Sequence, residues 1–308
     1  MYDSEGSFII SIFKRKGFRL GWEIQADLAI NLNVKDENLL HLIMSYFGVG
    51  TLRYNKIHRS VIYSVKDLKS LTNIIIPFFD KYHLVTQKRA DFELFKQVVE
   101  KMNRKEDITR DGLLEIVARR ASMNRGLTKV LKQAFPDVLP VQRPVVQLPE
   151  SIEPTWLLGF IEGESCFFIN IQNSLTSKLG KAIGLIFSLH QDERDVELLV
   201  AAPEKLFAPP PFFKCGTLQG RGKCKAVTVT KLNDINNIII PFFQKYPLLG
   251  AKRLDYADFC KVAKLMAKKV HLTPDGLDEI IKIQAGMNTG RDYSKISDSD
   301  SGYESEFR

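Results

Sequence analysis

Three runs in the first third of the chain alternate between a fixed apolar set and a mixed set. Phe8, Ile10 and Ile12 alternate with Ser7, Ile9, Ser11, Phe13 and Arg15. Leu28, Ile30 and Leu32 alternate with Asp27, Ala29, Asn31 and Asn33, and Val61, Tyr63 and Val65 make a third run. A period of two sends successive side chains to opposite faces, so each run predicts a strand with one face packed and the other available. Gly48-Val49-Gly50 marks the turn into a further strand, as Lys214-Cys215-Gly216 does later. Between and after the strands the spacing predicts helices over roughly Lys35–Phe47, Val65–Tyr82, Arg89–Met102 and Thr109–Ala121, with Asp67 and Thr109 as N-caps. Phe167, Ile169 and Ile171 alternate with Cys166, Phe168, Asn170 and Gln172, repeating the first run.

The second half restates the first. Asn73–Phe79 and Asn237–Phe243 both read NIIIPFF, and Lys88-Arg89-Ala90-Asp91-Phe92 is answered by Lys252-Arg253-Leu254-Asp255-Tyr256. Gly112 answers Gly276 and Met123 answers Met287; the offset is 164 at every pair (237 − 73, 252 − 88, 276 − 112, 287 − 123). Two copies are too few for a solenoid, which needs at least ~3 repeats to bury a continuous core. The expectation is an α+β pseudo-dimer of two similar halves joined in one chain. Its parts are a first repeat over 1–126, a linker over 127–153, a second repeat over 154–291 and a polar, disordered tail over 292–308. The linker carries Pro136, Pro140, Pro144 and Pro149, a density that predicts extended chain. The stretch Ala201–Pro211, with three consecutive prolines, has no counterpart in the first half and no functional reading.

Composition adds a direction. The chain has 308 residues, 44% of them hydrophobic, enough for a core in each half. Lys and Arg number 44 against 36 Asp and Glu, a net charge of +8 that leans towards a polyanionic partner. Cys166, Cys215, Cys224 and Cys260 form no CxxC pair and all lie in the second half, which argues against a zinc site or a disulfide framework. The five histidines have no ligand-like spacing. No run of apolar residues has transmembrane length, and no signal peptide is evident, so no membrane partner is expected.

The chemistry gathers at the start of each half. The second copy opens Trp156-Leu157-Leu158-Gly159-Phe160-Ile161-Glu162-Gly163-Glu164-Ser165, and the first opens Met1-Tyr2-Asp3-Ser4-Glu5-Gly6-Ser7-Phe8. A glutamate taken alone is most often a solvated charge. One that ends an apolar helix and is matched in the other copy points to a ligand. These residues, with NIIIPFF, Thr86–Phe92 and His271–Ile280, resemble the LAGLIDADG homing endonucleases of the single-chain type, over nearly the whole chain. The resemblance implies repeats of αββαββα order whose two antiparallel sheets form a DNA-binding saddle. It implies a site-specific, metal-dependent endonuclease that cuts double-stranded DNA at a long asymmetric site as a monomer. On it, Glu5 and Glu164 are the metal-binding and catalytic acids, and Gly159 lets two signature helices pack closely. Asp3 and Glu162 take the motif's other acidic position and read as structural. Lys88 and Lys252 are catalytic candidates, balanced against ordinary surface lysines. Mg2+ is the expected ion, with Mn2+ or Ca2+ substituting for binding. Relatives encoded within organellar introns point to the mitochondrion.

The available strand faces supply the expected DNA contacts: Ser7, Ile9, Ser11, Phe13, Arg15, Gln25, Asn31, Arg53 and Asn55 in the first half. In the second they are Phe168, Asn170, Gln172, Ser188, Lys223, Lys225, Thr228 and Thr230. Glu23 and Asp27 on this face oppose phosphate. Two other readings remain open: an intron RNA maturase and a degenerate DNA-binding remnant. Intact acids and lysines favour cleavage. Only Met1 and Tyr2 stand where the second copy has Trp156–Ile161. The expectation is therefore that Leu157, Leu158, Phe160 and Ile161 face solvent, and that the chain is less stable than one extended upstream.

Overall fold

A computed structural model describes residues 1–199, 216–221 and 224–293. The Pro-rich insertion expected at 201–211, Lys223 and the tail from residue 294 lie outside the described residues.

The first half runs α1 (Tyr2–Glu5), β1 (Gly6–Lys14), β2 (Trp22–Asn33), α2 (Glu37–Phe47), β3 (Thr51–Asn55) and β4 (Ser60–Val65). It continues with α3 (Leu68–Ser70), α4 (Ile76–Lys81), α5 (Lys88–Asn103) and α6 (Arg110–Ser122). Then come α7 (Lys129–Ala134), α8 (Pro154–Glu164), β5 (Ser165–Asn173), β6 (Lys181–Asp192), β7 (Thr217–Arg221) and β8 (Cys224–Val229). Helices Ile240–Lys245, Lys252–Ala267 and Pro274–Ala285 close the second half. The strands form two four-stranded antiparallel sheets of order β1-β2-β4-β3 and β5-β6-β8-β7, so the fold is α+β. The chain separates into two compact units. One holds Met1–Glu164 with the described residues of 191–209 and 220–225; the other holds Ser165–His190 with the described residues of 210–219 and 226–308.

Period two accounts for each core. Phe8, Ile10, Leu28, Ile30, Val61, Tyr63 and Val65 are all buried on one side of the first sheet. There Phe8 meets the rings of Phe79, Phe92 and Phe95 at centroid distances of 5.3, 5.2 and 5.2 Å. Phe167 repeats the arrangement with Phe243, Tyr256 and Phe259, each at 5.3 Å. Such tilted and edge-on pairs add to the area they bury. Asp67 and Thr109 cap their helices, accepting from the Ser70 and Gly112 amides at 2.8 and 3.1 Å.

Three expectations change. The helix predicted from Val65 begins at Leu68, because β4 continues through Val65 and Asp67 is the cap. It also contains a π-helical turn, Leu71–Ile75, just before Pro77, and the second copy has another, Ile235–Ile239, just before Pro241. Proline lacks an N–H and crowds the carbonyl four residues back, and a widened turn relieves both conflicts. The linker is not extended throughout. Its first proline stands at 136, which leaves room for α7, capped by Thr128 and anchored by buried Leu131. Finally, Leu157, Phe160 and Ile161 do not face solvent: their exposures are 1%, 1% and 0%. Short as it is, α1 packs against α8 along its glycine face.

Candidate active site and nucleic-acid interface

Gly159 and Gly163 are four residues apart and so share one face of α8. A Cβ on Gly159 would lie 2.6 Å from the Met1 backbone nitrogen. One on Gly163 would strike the Ser4 side chain and stand 3.4 Å from Cγ of Glu5. Only glycine admits so close an approach. The result is that Glu5, the last residue of α1, lies beside the last turn of α8, which ends in Glu164.

Asp3 fixes this pairing from below. It is 4% exposed and accepts four hydrogen bonds. The donors are the Val85 amide (3.1 Å), the Thr86 amide (3.1 Å), the Thr86 hydroxyl (2.6 Å) and Trp156 Nε1 (2.7 Å). The structural reading of Asp3 thus has a definite content: it ties α1, α8 and the segment before α5 together.

Lys88 is the first residue of α5, and its Nζ donates to the carbonyls of Ser4 and, at 3.3 Å, Tyr2. Burial holds its pKa below the ordinary lysine value, while Asp3, Glu164, Glu5 and Asp195 work in the opposite direction. Lys252, the first residue of its own helix, donates to the Ser165 carbonyl and lies 3.4 Å from the Ser165 hydroxyl. Ser4 precedes Glu5 and Ser165 follows Glu164, so each lysine head grips backbone adjoining one of the two acids. A cavity of about 300 Å3 opens here, lined in part by Ser4, Lys88, Arg125, Glu164, Gln191 and Arg194. Gln191, Arg194 and their neighbour Asp195 escaped the sequence reading. The available signal was that Glu193–Asp195 forms a tight turn after β6 as Val34–Asp36 does after β2. Among the described residues, no three His, Cys, Asp or Glu side chains gather as a metal centre.

The strand register sorts the expected DNA contacts. Ser7, Ile9, Ser11 and Phe13 stand opposite Ala29, Asp27, Gln25 and Glu23. Asn31 stands opposite Ile62, and Ile62 and Ser60 stand opposite Arg53 and Asn55. All therefore share the sheet face turned away from the core, with Arg15 just beyond the end of β1. Glu23 is matched on this face by Arg15 at 2.8 Å, and Asp27 by the Ser64 hydroxyl at 2.7 Å and Lys66 at 3.7 Å. Burial nonetheless raises the pKa of Asp27. In the second sheet Phe168 and Asn170 stand opposite Ile186 and Gly184, Cys166 opposite Ser188, and Gln172 opposite Ala182. Phe13 and Phe168, at 45% and 41% exposure, leave large apolar rings open on these faces. Ser188 is buried, with its hydroxyl 3.0 Å from His190 Nε2. Thr228 and Thr230 alternate with buried Val227 and Val229, whereas Lys225 has the parity of those valines.

The duplicated α+β halves are matched in turn by the sequence comparison. Residues 1–99 and 157–263 match the family model described as LAGLIDADG endonuclease. The chain belongs to that family, a family of metal-dependent nucleases. It is 39% identical over 301 residues to "Probable intron-encoded endonuclease 2" of Neurospora crassa, covering 92% of this chain and 63% of the relative. To "Probable intron-encoded endonuclease 3" of the same organism it is 38% identical, covering 91% of this chain and 52% of the relative. The chain thus spans roughly half to two thirds of these curated relatives. A shorter match, 37% identical over 110 residues, is the "Uncharacterized 50.9 kDa protein in ND4 intron 1" of Podospora anserina. Among solved structures, the I-LtrWI LAGLIDADG homing endonuclease bound to target DNA superposes with a TM-score of 0.89 at 40% identity. That match covers 94% of this chain and 96% of that one. I-SmaMI bound to uncleaved DNA target in the presence of calcium ions gives 0.88 at 37% identity, covering 93% and 96%.

Proposed function

We propose that this chain is a site-specific endonuclease that hydrolyses both strands of duplex DNA at a long asymmetric target, acting as a monomer and encoded within a mitochondrial intron. The observation that carries the reading is the glycine-mediated approach of α1 to α8, which brings Glu5 beside the turn that ends in Glu164. The family, the intron-encoded relatives and the DNA-bound neighbours support the reading at large.

Two carboxylates on adjoining helix ends are hard oxygen donors. They suit Mg2+, which keeps several waters and needs only one or two protein carboxylates. Glu5 and Glu164 would hold the ions; the metal supplies an activated water and charge stabilisation at the leaving oxygen. The protein's own contribution is placement. α8 and α1 fix the two acids without a loop between them and the core. Lys88 and Lys252 put ammonium groups beside the backbone that carries those acids, where they favour negative charge building up on a phosphoryl group. The outward strand faces present hydroxyl, amide and guanidinium groups to base edges, and Arg15 stands near a strand end, where phosphates run.

The test is cleavage of a supercoiled plasmid bearing the intron-free insertion site, with Mg2+. The expected product is linear DNA, and Glu164→Gln binds the same duplex without cutting it. Wild-type cleavage rates from Glu164→Gln would refute the assignment of the acids. Preference for structured intron RNA over the duplex would replace cleavage with the maturase reading.

A further inference from the structure

The peptide that carries Lys88 is held from two distant parts of the chain. The Gln87 amide donates to Asp195 Oδ1 at 2.7 Å, and the Gln87 carbonyl accepts from Arg143 Nη2 at 2.8 Å. Asp195 lies in the turn after β6, and Arg143 lies in the Pro-rich linker. Resting on the reading of Lys88 given above, we propose that Arg143 and Asp195 are positioning residues. Together they clamp the Gln87 peptide and so set where the Lys88 ammonium stands beside Glu5.

The linker arm of this clamp is built to be stiff. Arg143 forks onto Asp91, Nη1 to Oδ1 at 2.8 Å and Nη2 to Oδ2 at 3.1 Å, and Nη1 also reaches the Ser122 carbonyl at 2.8 Å. Asp91 lies on α5 one turn beyond Lys88, is 6% exposed, and further accepts from the Asn124 amide at 3.0 Å. One guanidinium therefore holds the first turn of α5 at two points, a geometry a lysine cannot reproduce. The linker around it is tied to α6, with the Val141 carbonyl accepting from the Ser122 hydroxyl at 2.5 Å. The second copy solves the same problem with a local residue. Asp255 accepts from the Asn288 amide at 2.9 Å and from Arg291, which also reaches Asp258 at 2.6 Å. Arg291 is not the repeat equivalent of Arg143, since 143 + 164 is 307. Arginines at non-equivalent places in the sequence thus meet the equivalent aspartates, Asp91 and Asp255, of the two copies.

A clamp on Lys88 affects the chemistry at one of the two lysines and leaves the DNA-reading faces alone. Its loss should slow the cutting of one strand more than the other. Single-turnover cleavage of the plasmid described above resolves this, because unequal rates let nicked circles accumulate before linear product. Arg143→Lys is expected to slow the lagging strand about tenfold or more, the scale set by ångström-level misplacement. DNA affinity should change little; loss of the fork onto Asp91 lowers the melting temperature, but that loss alone does not favour one strand's cut over the other's. Asp195→Ala behaves likewise, whereas Asp195→Asn keeps the acceptor oxygen and restores most of the rate. In a Lys88→Ala background Arg143→Lys adds no further loss, because residues acting through one another are non-additive. In metal-free protein the Gln87 amide exchanges faster in Asp195→Ala than in wild type. Three results would overturn the clamp: full and balanced rates in Arg143→Lys and Asp195→Ala, an equal additional loss when Lys88 is already alanine, or unchanged Gln87 exchange. A wild-type chain that cleaves nothing would instead overturn the endonuclease reading itself.

Discussion

Trp156 Nε1 donates to Asp3 Oδ2 at 2.7 Å, joining residues 153 positions apart. The bond holds α8 to α1. Asp3 also accepts from Val85 and from Thr86 twice, so a single carboxylate serves four donors. Asp3→Ala would strand several of them in a buried place, where each unsatisfied group costs about 1–3 kcal/mol. The expected result is a loss of ~3 kcal/mol or more in denaturant unfolding. Trp156→Phe, which removes one donor and keeps the ring, should cost about 1 kcal/mol. Equal losses for the two variants would contradict this account.

Gly163 packs where a side chain has no room. In most helices alanine is preferred to glycine by roughly 0.5–1 kcal/mol. Here the new methyl would meet the Ser4 side chain, and overpacking of this kind typically costs ~1–3 kcal/mol. Gly163→Ala is therefore expected to lower the melting temperature, and Ser4→Gly in the same chain to recover part of the loss. A stabilised Gly163→Ala protein would mean that α1 and α8 are not in contact.

Asp27 gives a pH signature. Burial raises its folded pKa above the ordinary 3.8, against the Ser64 bond and the Lys66 charge. The folded protein then binds this proton more tightly than the unfolded chain does. Ionisation costs stability at neutral pH, and the cost fades as pH falls through the raised pKa towards 3.8. Asp27→Asn, which can still accept from Ser64, should melt higher than wild type at pH 7 and converge with it below pH 3.8. A constant difference across that range would show that charge is not the cause.

Binding to duplex DNA should weaken steeply with salt. If about 6–10 phosphates are neutralised along the strand ends, affinity falls roughly 10³–10⁵-fold between ~50 and ~200 mM salt. Fluorescence anisotropy across a salt series measures the slope. A nearly flat line would remove the sheet faces as the DNA-binding surface.

Much of the fold was legible because strands and caps are local. Phe8, Ile10 and Ile12 point one way for steric reasons that need no partner, and Asp67 and Thr109 cap helices within three residues of themselves. The repeat carried the rest, since each element called in one half could be checked in the other. What was missed depends on long-range packing or on weak local signals. α7 is six residues long beside a run of prolines, and its only buried side chain is Leu131. β8 reads Cys-Lys-Ala-Val-Thr-Val, where the parity of Lys225 is not evident until Val227 and Val229 are seen to be buried. Leu157 and Ile161 are buried on the side of α8 opposite Gly159 and Gly163, so their burial does not come from the α1 contact, and apolar counting alone does not say which sides of a helix are covered. Asp195 finds Gln87 across 108 positions, and no spacing rule reaches that far.

The linker's attachment has a consequence for taking the molecule apart. Because Arg143 belongs by sequence to the connector and by contact to α5, the place where the chain is divided decides which fragment inherits it. A break on the amino side of Arg143 hands the first fragment an Asp91 with no guanidinium opposite it, and makes recovery of that contact a bimolecular event. A break after Gln147 leaves the pair intact within the first fragment. Two-piece versions of this protein, otherwise alike, should therefore differ in how readily their halves find each other.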